Sequence, residues 1–148
     1  MRPGVATMMT AALVALAGAS LALAAGSSVS VRLTGLVPGD GETVVRVTAV
    51  EQDGATKLVK RFRFKKVLAT CEGADEPQRI TVRLTGRIPV VDREYERTFN
   101  GGASGKVRIS GRVSRDGQRT VGVVRSPAIA VAGVGVCELP PTAFRAST

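Results

Sequence analysis

The sequence predicts an all-β domain, a single antiparallel β-sandwich of about seven to nine short strands, with a small β-barrel as the alternative closure. Three observations predict it. Apolar and polar residues alternate with a period of two over most of the chain after residue 25, the pattern of strands with one buried and one wet face. Asp-Gly pairs interrupt that alternation at Asp40 and Gly41, Asp53 and Gly54, and Asp116 and Gly117, and glycine tolerates the positive φ that hairpin turns require. After residue 25 no segment shows a helical apolar period.

Residues 1–25 read as a signal peptide. Arg2 gives a positive start, and an apolar run over 8–25 is broken only by Thr10, Gly18 and Ser20. Ala22, Leu23 and Ala24 fit the small-x-small pattern that signal peptidase accepts, which places cleavage near Ala24 or Ala25. The rival is an uncleaved anchor, because the run approaches the ~20 residues that span a bilayer. Its richness in alanine and glycine favours cleavage. Residues 26–148 then form one secreted domain, with no further membrane span, in the extracellular space or the cell envelope.

The strands follow in order. Val29, Val31 and Leu33 alternate with Ser30, Arg32 and Thr34; Val45, Val47 and Ala49 alternate with Arg46 and Thr48. Phe62 and Phe64 alternate with Arg61, Arg63 and Lys65, but Val67, Ala69 and Cys71 have the opposite parity. One extra residue near Lys65 and Lys66 restores the facing, so a β-bulge is expected there. A polar loop ending at Pro77 precedes Ile80, Val82 and Leu84. Asp92, Glu94 and Glu96 share one face of the next strand. A glycine-rich turn over 100–105 leads to Val107, Ile109 and Val113, with Arg108, Ser110 and Arg112 opposite. The stretch 128–137 is apolar on both parities and reads as one strand covered on both sides or closely approached by another backbone. Val31 to Gly35 recurs as Val82 to Gly86, read as coincidence because the similarity ends within a few residues. Leu139, Pro140, Pro141, Thr142 and Ala143 resemble a sortase signal without its glycine or apolar tail, and read as a chance match in a C-terminal turn.

Cys71 and Cys137 are the only cysteines, and two cysteines in an exported chain most simply form one disulfide. The chain has no histidine. That excludes a Ser-His or Cys-His nucleophile and a histidine-based zinc site. Catalysis by Asp92, Glu94 and Glu96, as in a small hydrolase or lyase, is the enzymatic alternative. Calcium at those carboxylates is disfavoured, because strand residues two apart sit ~6.6–7 Å from each other. The expectation is a solvated edge with Arg93 and Arg97 as partners, and neither a metal nor a cofactor.

Twenty-one basic residues against twelve acidic ones give a formal net charge of +9. Such a balance suits polyanions, although charge alone also keeps a domain soluble. With Phe62 and Phe64 inward, Arg61, Arg63 and Lys65 form one outward row, and Arg108 and Arg112 form a second. Side by side they make a cationic sheet face, the candidate anion-binding site. Nucleic acid is set aside as the partner because the few aromatics, Phe62, Phe64, Tyr95, Phe99 and Phe144, are assigned mostly to the core rather than to stacking platforms.

Phe62, Phe64, Val67, Cys71, Gly73, Gly111, Gly122, Arg125 and Cys137 together resemble uncharacterised secreted all-β domains of high-GC bacteria over about residues 58–144. There an aromatic-led strand enters a Cys-containing turn, and a late Gly-x-x-Arg strand precedes a second cysteine. The departures are Glu138 and Leu139 after Cys137 and Phe144 where tryptophan is commoner. The resemblance implies a disulfide-tied sandwich and carries no known activity, so it transfers no site. The expectation is therefore a non-enzymatic binding or structural module of the envelope or extracellular space, contacting an anionic polymer through its Arg/Lys face. A protein–protein module pairing through a strand edge is the further alternative.

Overall fold

The computed structural model describes residues 27–100 and 105–148, so the leader expected over 1–25 lies outside the described residues. The chain is all-β. Its strands are β1 (Val29–Val37), β2 (Asp40–Gln52), β3 (Ala55–Cys71), β4 (Gln78–Pro89), β5 (Glu94–Asn100), β6 (Lys106–Val113), β7 (Arg119–Val131) and β8 (Gly135–Ser147). They form one antiparallel eight-stranded sheet in the order β4-β3-β2-β1-β8-β7-β6-β5. Two meanders, β1 to β4 and β8 to β5, spread in opposite directions from a central seam.

That order forces the sheet to fold over. β4 and β5 are its two edges, yet only residues 90–93 connect them. Flat, seven strand spacings put the edges about 34 Å apart, while so short a link reaches only about 17 Å. The meanders therefore pack face to face around one core. Phe62 and Phe64 of β3 meet Phe144 of β8 edge-on at 6.1 and 5.2 Å, and Phe62 lies 5.7 Å from Tyr95 of β5. At the joined edges the contact is through side chains: Arg97 Nη1 donates to the Arg87 carbonyl at 3.2 Å and stacks on Phe99.

A second closure lies at the other end. The β1–β8 seam is three pairs long, Thr34 to Leu36 against Ser147 to Arg145. Beyond the tip of the β1–β2 hairpin, β3 reaches β8 directly, with Thr70 opposite Glu138 and Cys71 opposite Cys137. Strands β3, β2, β1 and β8 thus make a small barrel-like ring. The Cys71–Cys137 disulfide closes it. Pro140 and Pro141 fall on β8 between the β3-paired and β1-paired stretches, where a missing N–H costs no ladder bond to either strand. The segment read as a C-terminal turn is therefore strand, and Leu139 within it is buried.

β3 bends where its parity changes. Lys66 has φ 62°, and the register with β4 jumps between Phe64 and Val67. The bulge turns Val67, Ala69 and Cys71 inward after Phe62 and Phe64. It also frees the Lys66 carbonyl, which accepts from Arg79 Nη1 at 2.8 Å.

Three expectations about turns and strands are corrected. The first hairpin turns at Pro38 and Gly39, not at Asp40 and Gly41, which begin β2. Gly39 has φ 82°, the left-handed conformation a type II turn needs after proline. Asp92 does not share a strand face with Glu94 and Glu96. It turns with Arg93 at φ 51° and 65°, bridged by Val91 and Glu94. The 128–137 stretch is the β7–β8 hairpin, not one doubly covered strand, with Gly133 at φ 78° and Val134 and Val136 exposed. Two strand ends and their turn merged into one apolar run. The turns at Asp53–Gly54 and Asp116–Gly117 stand as expected.

Asp40 anchors the first hairpin to β4. Its carboxylate accepts from Thr43 Oγ1 at 2.7 Å, Arg79 Nη1 at 3.1 Å and the Glu42 N–H at 3.1 Å. The Thr43 hydroxyl first, then Arg79 and the Glu42 amide, hold its pKa down from 3.8 to about 2. A depressed carboxylate pKa contributes stability above the unfolded value that is lost as pH falls through the folded one. Asp40→Asn is therefore expected to flatten the dependence of melting temperature on pH between 3.8 and about 2. Thermal melts of both proteins across that window check it. Parallel curves would show that Asp40 does not govern the acid limb.

Two glycines shape the inner face of the second meander. Gly111 and Gly122 lie side by side, flanked by Tyr95 and Phe144 in one row across β5 to β8. A Cβ on Gly111 would collide with the Tyr95 ring, and one on Gly122 would come within 2.6 Å of Phe144 Cζ. The aromatic rings thus cover the bare backbone. Tyr95 Oη sits 2.8 Å from Thr120 Oγ1, which donates in turn to the Arg112 carbonyl at 3.0 Å. Burial raises the Tyr95 pKa to about 12 against that hydrogen bond.

Candidate anion-binding face

Arg61, Arg63 and Lys65 alternate along β3 with the buried Phe62 and Phe64 and point away from the core. Pairing brings further cations to the same face. Arg63 stands directly opposite Arg46 on β2 and opposite Arg83 on β4. Arg46 lies between the buried Val45 and Val47, and Arg83 between the buried Val82 and Leu84, so all three face outward. The next row holds Arg61 opposite Thr48, with Arg32 of β1 beyond it. Lys65 stands opposite Val44.

Arg32, Arg46, Arg61, Arg63, Lys65, Arg83 and Arg87 therefore lie on the outer face of β1 to β4. None takes part in the ion pairs found among the described residues. Like charges directly opposite across strands are destabilising, by roughly 0.2–1 kcal/mol per pair. The Arg46–Arg63–Arg83 row carries two such juxtapositions. On this face Arg79 differs, being held by Asp40 at 3.1 Å and Glu42 at 2.9 Å.

Arg108 and Arg112 do not join this row. β6 is separated from β3 by β2, β1, β8 and β7, and the outer faces of the two meanders point opposite ways. Both arginines are also engaged. Arg112 Nη2 donates to Glu94 Oε1 at 2.7 Å, and Arg108 pairs with Glu96. The single cationic face expected from both rows is thus corrected to two faces: Arg61, Arg63 and Lys65 on the first meander, and on the second Arg108 and Arg112, held by Glu96 and Glu94, beside Arg125 and Arg145, which take part in no ion pair among the described residues. The partners expected for Glu94 and Glu96 change as well, from Arg93 and Arg97 to Arg112 and Arg108. Cross-strand register, not sequence proximity, chooses them.

Arg32, Arg46 and Arg83 extend the face and were legible only by parity. Each alternates with apolar residues as Arg63 does. What no local pattern supplies is the strand order that sets them beside β3.

A small cavity of about 110 Å³ opens within the face, lined by Val44, Arg46, Arg63 and Lys65. The Nε atom of Arg63 is buried beside it with no hydrogen-bond partner. A broad, shallow depression of about 1200 Å³ lies over β5 to β8, where Glu94, Glu96 and Arg112 line it. Its glutamates are held by arginines, Glu94 by Arg112 and Glu96 by Arg108. We therefore place the candidate site on the first meander.

No protein-family model, curated protein or solved structure matches this chain.

Proposed function

We propose that this protein is an extracytoplasmic, non-enzymatic binding module that holds an anionic polymer of the cell envelope on the outer face of β1 to β4. One observation carries this reading: outward cations in adjacent rows, three of them, Arg46, Arg63 and Arg83, in direct cross-strand register and in no ion pair among the described residues. A polymer with regularly spaced negative charges answers that repulsion better than scattered small ions, because one chain meets several rows at once. The disulfide is compatible with an oxidising compartment outside the cytoplasm, and the signal-peptide pattern over 1–25 supports the same placement. Among the described residues no helix is long and apolar enough to cross a membrane. A non-enzymatic role is favoured because Glu94 and Glu96 are exposed and tied to arginines, whereas general-acid chemistry uses a carboxyl held protonated by burial.

The test is binding of fluorescent long-chain polyphosphate and poly-glutamate, followed by anisotropy at two salt concentrations. Three charge contacts predict a loss of affinity of about 20-fold between 50 and 200 mM salt. Joint replacement of Arg46, Arg63 and Arg83 by glutamine is expected to abolish that salt-sensitive binding. Joint replacement of Arg108 and Arg112 is expected to leave it within about twofold, since those groups are already paired. Salt-insensitive binding, or equal losses from the two sets, would overturn the reading.

A further inference from the structure

We propose that a hollow on the outer face of β6 to β8 binds one small amphiphile, an apolar body carrying a single anionic group. The site stands apart from the polyanion reading, on the other meander and on other residues. Prolines open it. Pro127 on β7 and Pro140 and Pro141 on β8 lack the N–H that a ladder needs. The register of β7 with β8 shifts twice around them, between Val124 and Ser126 and between Ser126 and Ile129. Pairing lapses there, and a depression of about 440 Å³ lies over the gap. That size falls within the ~300–1,000 Å³ of small-ligand sites.

The wall is mostly apolar, with the exposed Pro127 and Pro141 in it. Cations line the β6 and β7 side. Lys106 and Arg108 flank the buried Val107 on β6, and Arg108 stands directly opposite Arg125 of β7. Only Arg108 has an acidic partner, Glu96; Lys106 and Arg125 take part in no ion pair among the described residues. One carboxylate thus answers three cations, and like charges directly opposite across strands are destabilising. All three side chains are exposed, so an arriving anion meets them without disturbing the core. Glu138 lines the hollow from the β8 side and repels a second negative group. The ligand is therefore oriented, its head towards Lys106 and Arg125 and its body across the prolines. Carboxylate, sulfonate and phosphate heads meet these flexible cations alike. The apolar body distinguishes the ligand from a bare ion: it buries carbon against the proline wall and shields the ion pairs from water.

The probes are 1-anilinonaphthalene-8-sulfonate and N-phenyl-1-naphthylamine, which share an aromatic body and differ by the sulfonate. Fluorescence titration of the wild type is expected to show one saturable site for the sulfonate dye and about tenfold weaker binding of the neutral dye. Decanoate is expected to displace the sulfonate dye at concentrations where acetate, the head without the body, does not. Joint Lys106→Gln and Arg125→Gln replacement is expected to weaken the sulfonate dye about tenfold and to leave the neutral dye within about twofold. Melting temperature confirms that this variant is folded, and the dye and acid comparisons in the wild type do not depend on it. Joint replacement of Arg46, Arg63 and Arg83 by glutamine is expected to leave dye binding unchanged, so that this site and the cationic face of the first meander stand or fall separately. Equal affinity for the two dyes, displacement by acetate as readily as by decanoate, or dye binding that survives loss of Lys106 and Arg125 overturns the proposal.

Discussion

Joint replacement of Cys71 and Cys137 by alanine is expected to lower stability by about 4 kcal/mol. The bond closes a loop between residues 66 positions apart, and in the chain-entropy account so long a loop gives a large constraint on the unfolded chain. For a domain of this size the loss corresponds to a fall in melting temperature of roughly 10–20 °C. The position in the fold adds a reason. Beyond the β1–β2 hairpin tip, β3 and β8 are held by two residue pairs and the Glu72 N–H to Val136 carbonyl bond at 2.8 Å. Among the described residues the only other backbone pairing of the first meander with β8 is the three-pair seam with β1. Without the disulfide, the ring of β3, β2, β1 and β8 can open at its shortest pairing. Melts of the oxidised protein, the reduced protein and the double variant check this. Equal melting temperatures for all three would show that packing alone closes the ring.

Phe144→Ala is expected to cost about 3–5 kcal/mol, at the upper end for a single core truncation. Phe144 is almost fully buried and touches the core from β8, edge-on to both Phe62 and Phe64 of β3. It is one of the few large groups joining the two meanders, so its loss weakens the face-to-face packing that the short β4–β5 link demands. The site collapses poorly. The neighbour across β7 is Gly122, which has no side chain to move into the space, and a cavity that cannot relax adds to the transfer loss. Phe144→Leu keeps much of the volume and is expected to cost clearly less. Urea denaturation of the two variants checks the order. A Phe144→Ala effect below about 1 kcal/mol would mean that the meanders are held together elsewhere.

Several features of the fold were legible residue by residue. Parity placed Val45, Val47, Phe62, Phe64, Val82 and Ile109 inside, and each is buried. The same reasoning located the bulge, because a parity change between Phe64 and Val67 has few other remedies; Lys66 adopts the left-handed conformation there. Turn chemistry was legible where glycine itself sits at the turn, as at Gly54. It misled at Asp40 and Gly41, where Pro38 and Gly39 compete for the same turn two residues earlier. It was silent at Asp92 and Arg93, which adopt positive φ without glycine.

The sequence by itself determined which side of β1, β2, β3, β4 and β6 is wet and that the two cysteines have only each other to pair with. Both are local or exclusive properties: side chains alternate because the strand is pleated, and a lone pair of thiols has one intramolecular disulfide to form. Tertiary structure decided which wet sides meet. Whether β3 lies beside β2 and β4 or beside β6 depends on the order of the whole sheet, which no stretch of a few residues encodes. That order put Arg46 and Arg83 against Arg63, with no ion pair to any of the three among the described residues, and turned Arg108 and Arg112 to the opposite side with Glu96 and Glu94.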